Sequence, residues 1–181
     1  MKTIPVTYIN TIKYVVTLEQ DEWAESPREW DNLGTMLCLH RNYNLGDEPN
    51  VSWDEMESLV SQRSVVSLPL YLYDHSGITM STRPFGDRWD SGQVGYIYVT
   101  HEDILKEFGG KRVTQKRIKQ VLETLRDEVA TYDTYIRGDI YTVTIKTDSG
   151  LYIDSCSGYY GDDYKQLLDE HDVQDYELIY N

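Results

Sequence analysis

At Asp74-His75-Ser76-Gly77 a carboxylate, an imidazole and a hydroxyl follow one another where a strand-like run ends, the kind of loop position at which chemical sites concentrate. If Asp74 orients His75, the imidazole can act as a general base toward a water or a ribose 2'-hydroxyl. Successive residues of a strand point to opposite faces, so adjacency does not require contact between them. An Asx turn, with Asp74 accepting backbone N–H groups and His75 half exposed, accounts for the same residues without chemistry. Shortly after comes Arg83-Pro-Phe-Gly-Asp87-Arg88-Trp89-Asp90-Ser91-Gly92, in which two guanidiniums and two carboxylates flank an aromatic ring. Arg83 and Arg88 can grip a phosphate or carboxylate bidentately, or they can pair with Asp87 and Asp90 and stiffen a long loop. A catalytic reading of the stretch takes His75 as base, Asp74 as its orienter and Arg83 as phosphate clamp.

Asp74, Asp87 and Asp90, joined by His75 or Asp154, are hard donors of the sort that Mg²⁺ or Mn²⁺ uses in nucleases. No ligand spacing supports a metal site, and scattered acids in so acidic a chain are mostly solvated. No cofactor is therefore expected, a divalent Mg or Mn ion being the one these donors would suit. Cys156, paired with His75 as nucleophile and base, has no activating cation beside it in sequence. With only Cys38 and Cys156 present, neither a disulfide nor a zinc site is expected.

The elements that position these residues follow from periodicity. Val65 to Asp74, Ile78 to Thr82 and Gln93 to Thr100 read as strands, with Pro69 marking an edge or a bulge. Together they make Leu68 to Val99 the expected centre of a sheet. Ile4 to Asn10 and Lys13 to Leu18 read as a hairpin or one bent strand, and Thr35 to His40 as a short apolar strand. Glu19 to Asp31, with six acids and one base, reads as a surface loop pinned by Trp23 and Trp30. Ser52-Trp-Asp-Glu55 is a capping box opening a helix to about Gln62. Thr100 caps a second helix that Phe108-Gly-Gly110 ends. From Thr114 to Ile136 apolar residues recur at three- and four-residue steps, the clearest helix in the chain, and Gly138 closes it. Asp139 to Thr147 and Leu151 to Asp154 form a hairpin around Asp148-Ser-Gly150, followed by a short helix over Asp162 to His171 and a strand at Tyr176 to Tyr180. The resulting expectation is a single α+β domain over residues 1–181, a largely antiparallel sheet with about four helices, mostly on one face.

The 181 residues carry 17 Lys and Arg against 31 Asp and Glu, a net charge of -14. Such a chain repels free duplex DNA at long range and attracts basic partner surfaces. The charge is uneven: Lys106 to Arg126 holds seven bases and two acids, whereas Asp148 to Asn181 holds nine acids and one base. A basic helix start can grip RNA phosphates, although cations on the wet side of a helix need no ligand. The acidic residues Asp162, Asp163, Asp169, Glu170, Asp172, Asp175 and Glu177 are the expected partner-binding surface, since rows of carboxylates can stand in for nucleic-acid phosphates before an Arg-rich cleft. No signal-peptide pattern and no run of about 18 apolar residues occurs, so no membrane partner is expected and the bacterial cytoplasm is the expected location.

Pro27-Arg-Glu-Trp-Asp-Asn-Leu-Gly-Thr-Met-Leu-Cys-Leu-His-Arg-Asn-Tyr-Asn-Leu-Gly-Asp47, Leu72-Tyr-Asp-His-Ser-Gly-Ile-Thr-Met-Ser-Thr82, Trp89-Asp-Ser-Gly-Gln-Val-Gly-Tyr-Ile-Tyr98 and Asp154-Ser-Cys-Ser-Gly-Tyr-Tyr-Gly161 together resemble a family of small proteins encoded on phages, plasmids and conjugative elements of Gram-positive bacteria. The resemblance covers most of the chain and brings no catalytic residues with it. It implies an anti-defence protein, an anti-CRISPR inhibitor of Cas9 acting on the Cas9–guide RNA complex. Three readings are open: a binding inhibitor that covers cationic groups with its acidic surface, a ribonuclease that cuts guide RNA or another nucleic acid, and a non-catalytic accessory or regulatory protein.

Overall fold

The computed structural model describes residues 12–49 and 51–181. The strand expected over Ile4 to Asn10 lies outside the described residues. Nine strands and four α-helices are present among the described residues, giving an α+β protein with two mostly antiparallel sheets. The chain divides into two compact units, one formed by residues through Ala24 together with Gly138–Asn181, the other by Glu25–Arg137.

The first unit holds β1 (Tyr14–Gln20), β7 (Ile140–Thr147), β8 (Tyr152–Tyr160), α4 (Lys165–Glu170) and β9 (Tyr176–Tyr180). Its sheet runs β8-β7-β1-β9, antiparallel except for the parallel β1–β9 pair. Alternation decides the faces: Val16 and Leu18 of β1 and Val143 and Ile145 of β7 are buried against Tyr164, Leu167 and Leu168 around α4. The opposite side of β7 and β8 carries hydroxyls, and Thr142–Ser157 and Thr144–Ser155 each pair at 2.9 Å.

The second unit contains β2 (Thr35–Cys38), β3 (Glu48–Pro49), α1 (Trp53–Val60), β4 (Val65–Asp74), β5 (Ile78–Ser81), β6 (Ser91–Thr100), α2 (His101–Phe108) and α3 (Gln115–Ile136). The strand order is β3-β2-β6-β4-β5, so β6 is central and the Leu68 to Val99 stretch supplies the heart of this sheet. Pro69 is accommodated because β5 pairs only with Tyr71–Asp74 of β4, which leaves the Pro69 level facing one neighbour, next to a register shift at Leu70/Tyr71. The Ser52–Glu55 capping box forms in full at the start of α1. In α3 Val121, Leu125, Val129 and Tyr132 are buried, as the three- and four-residue spacing requires, and meet Met36, Leu70, Ile97 and Ile104 in one core.

Two expectations are corrected. The strands divide between two sheets instead of building one, because β1 pairs with β7 across more than a hundred intervening residues, and local pattern carries no record of such a partner. Trp23 does not pin the Glu19 to Asp31 loop, since it is 91% exposed. The loop's anchor is Arg28, which lies in a short 3-10 turn, Pro27–Glu29, and pairs with Asp47 and Glu128. Among the described residues no helix is long and apolar enough to cross a membrane.

Candidate functional site

Two loops of the second unit meet beside the end of β4. The β2 strand is extended by the hydrogen bond from Leu39 N to Val94 O, 2.7 Å, which brings the following His40 and Arg41 alongside the start of β6. At the same end of β6, on its β4 side, Asp74 N donates to Asp90 O at 2.7 Å, drawing the Arg83–Asp90 loop back over β4. Between them lies a cleft of about 440 Å³ whose walls include His40, Arg41, Trp53, Asp74, Trp89 and Asp90.

Asp74 lines this cleft, whereas His75, on the turn that follows, lines a separate hollow with Tyr73 and Thr79, and the two do not form a pair. The Asp74 carboxylate accepts from the Tyr43 hydroxyl at 3.2 Å, and Tyr43 stacks on His40 with ring centroids 5.0 Å apart. His75 instead meets Asp90, Nδ1 to Oδ2 2.9 Å, and its side chain stays 64% exposed. With Asp90 accepting from Nδ1–H, the neutral ring keeps its lone pair on Nε2, the arrangement a general base requires. The backbone of the turn closes without an Asp74 side-chain cap: His75 N donates to Gly77 O at 3.0 Å, and Ser76 adopts φ 58°.

The Asx turn sits further along, at Asp87. Its carboxylate accepts from Trp89 N at 2.7 Å and Asp90 N at 3.0 Å, and these two bonds, that from Asp90 first, hold it below the usual carboxylate range. The Ser91 hydroxyl donates to the Asp87 carbonyl, closing the loop again. So braced, the loop presents Trp89 with 95% of its surface in solvent at the cleft's edge. Arg83 and Arg88 are exposed, and among the described residues neither guanidinium forms an ion pair, so the Arg–Asp pairing weighed for this loop is not what stiffens it. The guanidinium in the cleft wall is that of Arg41. Neither Arg41 nor His40 stood out in the sequence, because only the antiparallel pairing of β2 with β6 brings them to the Asp74–Asp90 end of the sheet.

Among the described residues no group of three or more His, Cys, Asp or Glu side chains is placed to hold a metal ion. Asp154 belongs to the first unit, where His171 Nε2 meets its Oδ2 at 2.8 Å and ties β8 to the end of α4. Cys156 is exposed on β8 and Cys38 is buried, and both thiols are free. Burial, first, and nearby Asp47 push the Cys38 thiol up to about 12, which makes it a packing residue.

The Asp154–His171 contact is pH-sensitive. The His171 hydrogen bond, then that from Ser155 N, hold the Asp154 carboxyl below its ordinary value. A lowered folded-state value means that the link stabilises the first unit above the unfolded carboxylate pKa, near about 4, and is lost as pH falls through the lowered one. Thermal melts of wild type should fall more steeply below about pH 4 than those of Asp154→Asn, and parallel curves would refute the link.

The seven carboxylates of the expected partner surface all lie in the first unit and are all exposed. Leu167 and Leu168 turn α4 onto the sheet, which leaves Asp169 and Glu170 on its wet side. Asp172 follows at φ 51°, Asp175 precedes β9, and Glu177 lies within it. Asp162 pairs with Lys165 at 2.6 Å, and among the described residues none of the other six has an ion-pair partner.

No protein-family model matches the chain, and no curated protein and no solved structure matches it either.

Proposed function

We propose that this is a binding protein of a mobile element that blunts a host nuclease in the bacterial cytoplasm, its target being Cas9 with its guide RNA. Its acidic face occupies arginines and lysines that otherwise hold nucleic acid. The supporting observation is the exposed set Asp162, Asp163, Asp169, Glu170, Asp172, Asp175 and Glu177, with a single Lys165 for counter-charge, on α4, β9 and the turns that flank them. Carboxylates so placed gain from a cationic cleft both in encounter rate and in charge-assisted hydrogen bonds. Reversing Asp169 and Glu170 to lysine should weaken the complex by at least about tenfold, as should raising salt from about 0.1 to 0.5 M, because exposed charges are screened over a few ångströms at the higher strength. A binding isotherm unmoved by either change would overturn the reading.

A second reading rests on the His75–Asp90 pair, an imidazole held by a carboxylate with its other ring nitrogen open, which is suited to drawing the proton from a ribose hydroxyl that attacks its phosphate. Guide RNA recovered shortened with wild type and intact with His75→Ala would favour it. Guide recovered at full length in both would remove it.

A further inference from the structure

The second unit carries a cationic face that the acidic-face reading leaves unused. Lys106 on α2, Lys111 and Arg112 in the connection to α3, and Lys116, Lys119 and Arg126 along α3 are all exposed. Arg117 is half-buried, with its guanidinium 4.2 Å above the Phe108 ring and one nitrogen 3.0 Å from Gln120 Oε1. In a chain with a net charge of -14, carboxylates are abundant, yet among the described residues none of these seven cations forms an ion pair. On α3 the positions 116, 119 and 126 share one stripe, spanning about 15 Å at the helical rise of about 1.5 Å per residue, with exposed Glu123 as the carboxylate between 119 and 126. The polar neighbours Thr114, Gln115 and Gln120 are exposed as well.

The composition of this face selects its partner. Protein interfaces draw their affinity from buried aromatic and apolar anchors. Among the described residues, none of the exposed large apolar side chains falls between residues 106 and 126. Cations and amides without an apolar anchor suit a phosphate backbone, which is held by Lys and Arg with side-chain hydrogen bonds to phosphate and sugar and needs no base contact. We infer that the α2–α3 face binds the phosphate backbone of a nucleic acid, without sequence preference. The protein as a whole repels free nucleic acid at long range, so the contact is weak alone and matters where a nucleic acid is already held close by.

Fluorescence anisotropy of a labelled single-stranded RNA of about 20 nucleotides, titrated with the full chain, tests this. With about four phosphates neutralised, affinity should fall roughly 50-fold between 50 and 200 mM salt. Lys111→Glu/Lys116→Glu/Lys119→Glu should lose at least about tenfold at 50 mM, while the same three positions changed to arginine should retain binding. Asp169→Lys/Glu170→Lys, which disables the acidic face, should bind RNA as well as wild type or better. The inference is overturned by no RNA binding at 50 mM salt, by equal binding of the triple-Glu variant, or by an acidic protein competing for the face where RNA does not. Each of these outcomes is independent of whether the acidic face holds Cas9.

Discussion

Arg28→Ala is expected to lower stability by about 3–5 kcal/mol, the range for removing one partner from a buried ion network. The Arg28 side chain is 5% exposed. Its Nε and one terminal nitrogen grip Asp47 at 2.8 and 2.6 Å, and the other terminal nitrogen reaches Glu128 at 3.2 Å. The two carboxylates are committed in turn to backbone: Asp47 accepts from Met36 N at 2.7 Å, and Glu128 from Leu33 N at 2.8 Å. Alanine would leave two mostly buried carboxylates without a counter-charge and detach the 3-10 turn, the start of β2 and α3 from one another. Lysine offers one point charge in place of a planar fork, so Arg28→Lys should recover less than half of the loss. Melts followed by circular dichroism should show a fall of about 10 °C for alanine, and a change under about 2 °C would show that the network is dispensable.

Gly95→Ala should be nearly as damaging, about 3 kcal/mol or more, by a different route. Gly95 lies in β6 opposite Cys38 of β2, and a Cβ built there would fall on the Leu37 carbonyl oxygen. That obstacle is backbone, so relief requires β2 to move off β6, opening the core at Met36 and Cys38 and shifting His40 and Arg41 at the cleft. Gly86→Ala and Gly92→Ala have open space at the corresponding point and should change stability by less than about 0.5 kcal/mol. Urea midpoints of the three variants separate the cases, and equal midpoints would contradict the close approach of the strands.

Local rules made several elements legible. The Ser52–Glu55 box and the Thr100 cap form as their side-chain chemistry dictates, and the α3 spacing names its buried face. Pairings distant in sequence were not legible. Arg28 sits amid acids and reads as surface charge, and only the folded chain brings Asp47 and Glu128 to it. The same limit applies at the candidate site. Asp74 is adjacent to His75 in sequence, but the side chain that meets the imidazole is Asp90, delivered by the β4–β6 pairing, and the Asx turn expected at Asp74 is made by Asp87. Exposed acids, by contrast, need no partner to be recognised, so Asp162 to Glu177 could be named from composition and patterning alone.

Size-exclusion chromatography of the protein mixed with Cas9 and its guide RNA, with the recovered guide sized on a gel, tests the proposed role most directly. Co-elution at about 0.1 M salt, lost for Asp169→Lys/Glu170→Lys and with the guide at full length, is the expected result. Separate elution at that salt, or a complex that survives charge reversal, would contradict it.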